Sequence, residues 1–463
     1  MNTEFISPVP RSRFPYWKIP GLFLALIAAG TVLLKLPAAH RPGQALSWID
    51  ALFTAVSAVC VTGLVTVNTA EVLSGFGEVV LLGLIQMGGI GIVTSGTLFM
   101  LVRGQRLTFA DERFLAATLG RLKKARPVDV FIFTCLFVAL CEAAGMVALF
   151  PLMSRADPGR PVGEMLWEAL FHSVSAFCNA GFSDEATGAA RWRETPSVLW
   201  VLSFVVILGG IGMPTLLNFR YFRFWRRKPE ERGRLALQTR IVLRITLVLL
   251  VLGAVAMWLL ERNALLKDMP WGQSLSLAWF QSTTLRTAGF SAVDIGQMQG
   301  TTLLLSMLLM FIGGSPGSMA GGIKTVTFAL ILAIVWTSLR RRQDVELFRR
   351  RISSETRAAS LMVVFLAATV IIAGILLLMA TEASHPASQT PHRWLALMFE
   401  GVSAFCTVGL TTGVTPLLTA AGKLTVMALM FVGRVGPLLL AFHLATPVHP
   451  QRVRFAEENV SLG

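Results

Sequence analysis

The sequence predicts an all-α membrane protein built from four parallel repeats and eight transmembrane helices. One observation behind this prediction is the composition, because 54% of the 463 residues are hydrophobic, only 14% are charged and the mean hydropathy is +0.65. A soluble domain could not cover that much apolar side chain with polar surface. The other observation is self-similarity: four short segments align on their glycines. A period this long indicates one structural unit used several times.

Apolar stretches of about 20 residues are long enough to cross a bilayer as helices. The chain has eight: Lys18–Leu36, Val79–Val102, Val128–Phe150, Val198–Phe219, Ile241–Leu260, Thr302–Trp336, Ala358–Ala380 and Leu424–Ala445. The first is too long and too poorly flanked for a cleaved signal peptide, so it is expected to stay in the mature protein. The five cysteines lack paired spacings, which predicts free thiols with neither disulfides nor zinc.

Basic residues predict the orientation in the membrane. They concentrate in Arg103–Arg126, Arg220–Arg244 and Arg340–Arg357, each of which follows an even-numbered span. By the positive-inside rule these segments and both termini are cytoplasmic, in a multi-pass protein of the plasma membrane. This topology and contact with anionic membrane lipid account for the net charge of +15, so no nucleic-acid partner is expected.

A shorter apolar stretch lies between the two spans of each pair. These stretches are Trp48–Val59, Met165–Phe177, Leu275–Leu285 and Trp394–Phe405. A helix of about 11–13 residues cannot cross the membrane at about 1.5 Å per residue. A segment that dips in and returns needs protein or water around its backbone, and four facing segments supply it. Each repeat is therefore predicted as outer helix, re-entrant pore helix, loop and inner helix around one pseudo-fourfold pore.

The loops predict a selectivity filter. Each ends on a glycine preceded by small or hydroxyl-bearing residues, with a hydroxyl residue six positions before the glycine (Ser57, Ser175, Thr283 and Ser403). Backbone carbonyls of an extended loop can replace the water of a monovalent cation, and glycine best tolerates the angles this requires. No acidic side chain is present to form a charged ring. The twelve predicted filter residues are Val61, Thr62, Gly63, Asn179, Ala180, Gly181, Thr287, Ala288, Gly289, Thr407, Val408 and Gly409.

The inner helices predict a gate. The third contains Gly313, Gly314, Ser315, Pro316, Gly317, Ser318, Gly321 and Gly322, followed by Lys324. Proline and repeated glycine break a helix, and irregular backbone within a membrane is tolerated only where protein or a cavity shelters it. A packing kink is the alternative. Packing is the favoured interpretation for the glycine pairs of the first two inner helices, at 88–89 and 209–210.

Charged residues within the predicted spans are functional candidates. Arg434 replaces the second glycine of the pair in the fourth repeat, where a cation is costly and faces a pore or a partner. It is predicted to act as an electrostatic barrier beside the gate, with a structural salt bridge as the alternative. Lys324 either pairs within the gate or extends to the cytoplasm. Arg286 is expected behind the third loop, bonded to carbonyls of that loop or to an acid. Glu142 is a candidate for a buried carboxylate relay.

These loops, in this order, resemble those of the Trk/Ktr/HKT superfamily of potassium transporters, which are similar to a fourfold-repeated potassium channel subunit. The resemblance extends from Lys18 to Gly463. Glycine at all four loop positions, Gly63 included, is typical of the potassium-selective members. Eight spans without an extra N-terminal pair are more similar to the Ktr B membrane subunit than to the ten-span Trk subunit.

The resemblance implies potassium uptake through a channel-like pore, an intramembrane gating loop at 313–322 and an arginine at Arg434 that points into the pore. It also implies a homodimer and a separate cytoplasmic ring of nucleotide-binding regulatory subunits. Sodium is left open as a coupling ion. The chain lacks a Walker A sequence and an aspartyl-phosphate motif, so no enzyme activity and no organic cofactor are expected.

Two other functions are alternatives to a channel-like pore. An alternating-access cation symporter also uses broken helices and repeats, although its repeats are often inverted. A non-transporting scaffold would leave four aligned glycine loops without a purpose.

The predicted boundaries are a cytoplasmic N-terminus at 1–17 and four pore repeats. These lie at 18–110, 111–235 with a basic linker, 236–345 with the gating loop, and 346–463 with the C-terminus.

Overall fold

The computed structural model describes residues 18–103, 127–185, 187–221, 235–342, 344–383 and 393–445. In these residues the order long helix, short helix, loop, helix occurs four times, and each occurrence is called a unit. The predicted N-terminus, most of the first two basic segments and the end of the C-terminus lie outside the described residues. Each of the eight predicted spans overlaps an outer or an inner helix.

Each unit has an outer helix, a half-helix and an inner helix. The outer helices are Lys18–Lys35, Pro127–Ala156, Leu237–Glu261 and Ser354–Thr381. The half-helices are Trp48–Val59, Val162–Phe177, Trp271–Thr284 and Arg393–Phe405. The inner helices are Gly75–Arg103, Pro196–Ile211 with Met213–Tyr221, Gly300–Phe311 with Thr325–Leu339, and Ala420–Ala445.

Small elements connect the helices. They are the short helix Thr69–Val72, the 3-10 turns Pro37–Ala39, Gly188–Trp192, Ile295–Gln297 and Thr415–Leu417, and an antiparallel pair of strands, Glu346–Leu347 with Arg350–Arg351. The strand pair lies within the third predicted basic segment.

The half-helices form the core of the molecule. Phe53, Phe171 and Phe399 are fully buried at equivalent positions in three of them. The outer helices have the opposite pattern, since Leu140 and Phe365 are 67% and 76% exposed. Large apolar side chains that face outward from helices are expected where the surroundings are lipid hydrocarbon. The carboxyl ends of the half-helices are enclosed by protein, since Val59, Phe177 and Phe405 are buried.

Three helices within the described residues are long and apolar enough to cross a membrane: Phe131–Ala156, Leu237–Glu261 and Ser354–Thr381. A fourth span is obtained if Pro196–Ile211 and Met213–Phe219, which meet at 93°, count as one. The third inner helix is divided into two shorter apolar helices, Gly300–Phe311 and Thr325–Leu339. The count of eight spans stays a prediction.

The second inner helix is broken within its predicted span, Val198–Phe219, and the sequence analysis contains no prediction of this break. The helix breaks at Gly212, whose φ is +87°, a value that side-chain-bearing residues rarely adopt. The next residue, Met213, donates its N–H to the carbonyl of Gly317 at 2.9 Å. A Cβ on Gly212 would lie 2.6 Å from the carbonyl oxygen of Pro316. The bend is therefore fitted to the glycine-rich segment of the third unit. By contrast, the predicted break of the third inner helix is confirmed.

Candidate selectivity filter and gate

The four loops share an unusual backbone conformation. In each, the residue two before the repeat glycine and the glycine itself have positive φ. The pairs are Val61 (54°) with Gly63 (96°), Asn179 (58°) with Gly181 (70°), Thr287 (70°) with Gly289 (77°), and Thr407 (49°) with Gly409 (92°). A left-handed conformation is strained for Val and Thr and concentrates at functional sites. Alternate left-handed residues also remove the regular alternation of a strand, which lets successive carbonyls face one side.

The loops meet at their glycines. A Cβ on Gly63 would overlap the carbonyl oxygen of Ala180 and lie 3.2 Å from the Cα of Gly181. A Cβ on Gly181 would lie 2.8 Å from the carbonyl oxygen of Ala288 and 2.6 Å from the Cα of Gly289. The first three loops are therefore in direct backbone contact.

The fourth loop closes the arrangement. The carbonyl oxygen of Val408 would lie 2.6 Å from a Cβ on Gly289, and a Cβ on Gly409 would overlap the carbonyl oxygen of Thr62. In every loop, then, the carbonyl that precedes the glycine faces a neighbouring glycine. These four carbonyls belong to Thr62, Ala180, Ala288 and Val408. Only residues without a side chain leave room for them.

Hydrogen bonds hold each loop to its own half-helix. Thr62 N–H donates to the carbonyl of Ser57 at 2.8 Å, and Ala180 N–H donates to that of Ser175 at 2.8 Å. Val408 N–H donates to Ser403 at 2.9 Å. In the third unit, however, Ala288 N–H donates to the carbonyl of Thr284. The hydroxyl of Thr284 donates to the carbonyl of Phe290, as the hydroxyl of Ser175 donates to that of Phe182. Thr284, and not the predicted Thr283, is therefore the counterpart of these serines. The reason is that the bond from the loop spans four residues in the third unit and five residues in the other units.

Glycines of the inner helices receive the ends of the half-helices. A Cβ on Gly88, Gly209 or Gly433 would overlap the carbonyl oxygen of the last half-helix residue, which is Val59, Phe177 or Phe405 respectively. This contact supports the packing interpretation of Gly88 and Gly209. The carboxyl end of a helix carries partial negative charge. Three half-helices thus direct that charge to the point where the loops begin.

The glycine-rich segment of the third unit is an ordered loop. Gly313 N–H donates to Ile323 O at 2.9 Å, and Thr325 N–H donates to Gly314 O at 3.0 Å. These bonds join its two ends. Ser315 N–H reaches across to Gly210 O at 3.0 Å on the second inner helix. The eight predicted gate glycines, serines and proline thus lie in one folded segment rather than in a helical kink.

This segment touches two of the loops. Gly321 N–H donates to the hydroxyl of Thr287 at 3.2 Å. A Cβ on Gly321 would overlap the carbonyl oxygen of Cys406 and the hydroxyl of Thr407. Residues predicted for the filter and for the gate are therefore in direct contact in the third and fourth units.

Three cations bind carbonyls of the glycine-rich segment: Arg286 and Arg434 are buried, and Lys324 is partly buried. Arg434 Nη1 donates to Met319 O at 2.5 Å, and Lys324 Nζ donates to Ala320 O at 2.6 Å. Arg286 Nη2 donates to Gly313 O at 3.3 Å, so its carbonyl partner lies in the glycine-rich segment and not in the third loop as expected. Among the described residues none of the three has a carboxylate within ion-pair distance. The salt-bridge alternative for Arg434 is thus unsupported.

An acidic cluster follows the second loop. Asp184 Oδ1 lies 3.2 Å from His172 Nδ1, and Glu185 is paired with Arg160 at 2.8 Å and also with Arg191. Burial, together with the charge of Glu185, raises the pKa of Asp184 to about 6. No role at the site is predicted for these acids from the sequence. Their signal in the sequence was the position of Asp184 three residues after the loop glycine.

The fold and site define a helical membrane protein in which four backbone loops meet at glycines. Residues 12–451 match the family model described as TrkH, cation transport protein. The chain belongs to this family, whose members are cation transporters rather than enzymes, and the predicted family is confirmed.

Curated relatives match nearly the whole chain. The Ktr system potassium uptake protein B of Vibrio alginolyticus is 36% identical over 95% of this chain and 93% of its own. The protein of the same name from Bacillus subtilis is 35% identical over 96% and 95%. The potassium/sodium uptake protein NtpJ of Enterococcus hirae is 33% identical over 97% of both.

A solved structure agrees with this fold. The potassium transporter TrkH from Vibrio parahaemolyticus matches with a TM-score of 0.72 over 94% of this chain and 85% of that one. Its sequence identity is 17%, so it is similar in fold.

Proposed function

We propose that this chain takes up potassium across the plasma membrane through a channel-like pore with a backbone-carbonyl selectivity filter. The observation that carries the proposal is the meeting of the four loops, where the carbonyls of Thr62, Ala180, Ala288 and Val408 each face a neighbouring glycine. A dehydrated monovalent cation needs several such oxygens to replace its water. The twelve predicted filter residues provide them, and potassium is the transported substrate.

The choice of potassium rests on relatives and on charge. The Vibrio alginolyticus and Bacillus subtilis relatives are named for potassium uptake. The Enterococcus hirae relative is named for potassium and sodium, so sodium stays open as a second or coupling ion. The carboxyl ends of the half-helices favour a cation over an anion.

The glycine-rich segment from Gly313 to Gly322 is the proposed gate. Its contacts with Thr287 and Gly210 set it against both the filter and the second inner helix. Lys324 and Arg434 hold its carbonyls and add positive charge beside the pathway. A cation would have to pass this charge, so displacement of the segment would open the pore.

The assembly is also a proposal. The names of the Ktr relatives refer to a system, which supports a partner subunit. We propose a homodimer of eight-span subunits, with both termini cytoplasmic and a nucleotide-binding regulatory ring on the basic face. Exposed arginines at 340–342 would bind such a ring by charge complementarity.

Substitution of the first loop glycine tests the filter. Gly63→Ser should lower the potassium-over-sodium selectivity about tenfold, because a Cβ would collide with Ala180 O and move a carbonyl. Gly413→Ser is the matched control, since Gly413 also has positive φ but nothing within 4 Å of a Cβ. Uptake at limiting potassium in a strain without other importers, and sodium flux in liposomes, measure both. Unchanged selectivity in folded Gly63→Ser and Gly289→Ser would contradict the filter.

A further inference from the structure

A buried carboxyl lies behind the second filter loop without a cationic partner. Glu142, in the middle of the second outer helix, is 7% exposed. Its Oε2 accepts a hydrogen bond of 3.0 Å from Gln86 Nε2, and its Oε1 lies 3.9 Å from Cys178 Sγ. No lysine, arginine or histidine is paired with it among the described residues. Ionisable groups in a membrane span are costly and mark function.

The contacts form a chain from one unit to the next. Cys178 Sγ–H donates to Gln86 Oε1 at 3.2 Å, and Gln86 then donates to Glu142. Gln86 belongs to the first inner helix, whereas Glu142 and Cys178 belong to the second unit. A Cβ on Gly89 would lie 3.0 Å from the same sulfur, so the first inner helix approaches Cys178 closely.

Cys178 is the residue at which the second half-helix ends and the loop begins. It caps the helix with φ −70° and ψ −10°, and Asn179 after it is left-handed. The half-helix is also held from the outer helix, because Ser173 Oγ donates to the carbonyl of Glu142 at 2.7 Å. Glu142 therefore fixes the second half-helix through its backbone and the start of the loop through its side chain.

The other units show that the fold does not need this polar chain. Ser282 donates to the carbonyl of Leu250 at 2.8 Å as Ser173 donates to that of Glu142, so Leu250 is the counterpart of Glu142 in the third unit. Gln86 precedes the inner-helix glycine by two residues, and its counterparts in the other units are apolar: Ile207, Phe311 and Phe431. The chain thus places two polar side chains together at one unit interface, whereas apolar residues stand in place of Gln86 in the other three units and in place of Glu142 in the third.

We infer that Glu142 is a positioning residue which, through Gln86 and Cys178, holds the second filter loop and sets the ion selectivity of the pore. The inference rests on the proposed filter. The carbonyl of Ala180, two residues after Cys178, is the one that meets Gly63. Hydrogen bonds from the first and second units hold the start of the loop and so keep the carbonyl oxygen of Ala180 in place. An apolar contact is not directional and would let this oxygen shift. The second loop, which has the polar side chain of Asn179, receives this directional anchor.

The test compares variants that keep or remove the hydrogen-bonded chain. Glu142→Gln retains an acceptor for Gln86, Glu142→Leu copies the third unit, and Gln86→Leu breaks the chain without touching an ionisable group. Thr246→Val, a buried polar change in the third outer helix, is the control. Each purified full-length protein is placed in liposomes, and the flux of potassium and of sodium, as chlorides, gives the permeability ratio.

The Leu variants should each lower the potassium-over-sodium ratio about tenfold, and their double variant should lower it no further, because they break one chain. Glu142→Gln and Thr246→Val should stay within about twofold of the parent. If Glu142→Gln loses selectivity as Glu142→Leu does, the charge matters and the positioning role is wrong. Should Glu142→Leu fail to fold, Gln86→Leu decides alone.

Gly63→Ser in the same liposomes separates this inference from the filter. If Gly63→Ser lowers the ratio and both Leu variants leave it unchanged, the inference is overturned and the filter stands. If none of them changes the ratio, the filter itself is contradicted and the inference falls with it.

Discussion

Arg434 on the fourth inner helix donates a hydrogen bond of 2.5 Å from Nη1 to the carbonyl of Met319 in the third unit. Its Nε and Nη2 have no hydrogen-bond partner among the described residues, and the side chain is 5% exposed. A buried guanidinium with unused donors is costly. The hydrogen bond to Met319 therefore links the position of the glycine-rich segment to Arg434. Any movement that brings another acceptor to the unused donors of Arg434 would be favourable.

Arg434→Ala should increase cation flux severalfold, because it removes both the anchor of the segment and a positive charge from the proposed pathway. Flux through the purified subunit in liposomes measures this. Arg434→Lys is the control, since it retains the charge and should leave flux lower than Arg434→Ala does. Deletion of Ser315 to Ala320 shortens the proposed gate itself and should also increase flux. Folded variants of both kinds that conduct no better than the parent would make the segment and the arginine structural.

The order of helices and the four loops could be predicted from the sequence because each unit repeats the same local pattern. The half-helix Trp48–Val59 was predicted with the bounds that it has. Its ends depend on local signals: Ser47 accepts from Asp50 N–H at 3.2 Å at the start, and the left-handed Val61 follows the end. The meeting of the glycines was expected because four like loops must shelter one another.

Contacts between units could not be predicted in the same way. The break at Gly212 depends on the carbonyl of Gly317, about a hundred residues away in the chain, which a single-helix pattern does not contain. The sequence marks Glu142 as an acid within a predicted span. Its partner Gln86 is marked only by comparison of the four repeats, because it is polar where the other inner helices have apolar residues.

A partly buried ion pair joins the first and fourth units. Lys423 Nζ lies 2.8 Å from Asp50 Oδ1, and the two side chains are 13% and 15% exposed. Lys423→Met leaves the partly buried Asp50 without its cation, although Ser47 and Thr66 still donate to it, and should lower the free energy of unfolding by about 1–2 kcal/mol. Thermal unfolding in detergent measures this as a lower midpoint. The double variant with Asp50→Asn should recover part of the loss, because neither charge is then unpaired. Equal midpoints for the parent and Lys423→Met would show that the pair contributes nothing.

Asp184 predicts a dependence of stability on pH. Burial raises the pKa of Asp184 from 3.8 to about 6, so the folded state binds its proton more tightly than the unfolded state does. Stability from this group is full below about pH 4 and is lost as pH rises through about 6, by about 3 kcal/mol. Asp184→Asn lacks this change. The midpoint of the variant relative to the parent should therefore rise between pH 4 and pH 7, and a constant difference would contradict the assignment.

The arginines at the end of the third inner helix are predicted to dock a cytoplasmic regulatory ring. Arg340, Arg341 and Arg342 are exposed, and Arg340 stacks on Trp336 at 4.4 Å. Neutralising the three should weaken co-purification of a nucleotide-binding ring and make the remaining binding less sensitive to salt, because exposed charge is screened. Arg226, Arg227 and Lys228, which lie outside the described residues, are predicted to act likewise.

Arg262 provides the matched control for this docking, since it also stacks on a tryptophan, Trp258, at 5.8 Å but on the predicted outer face. Arg262→Gln should leave capture of the ring unchanged. Flux through the isolated subunit should survive all of these changes, because the arginines do not contact the four loops. Co-purification at increasing salt, paired with liposome flux, measures both properties. If the purified chain responds fully to nucleotide with no second protein present, the regulator is not a separate subunit and the proposed docking face is wrong.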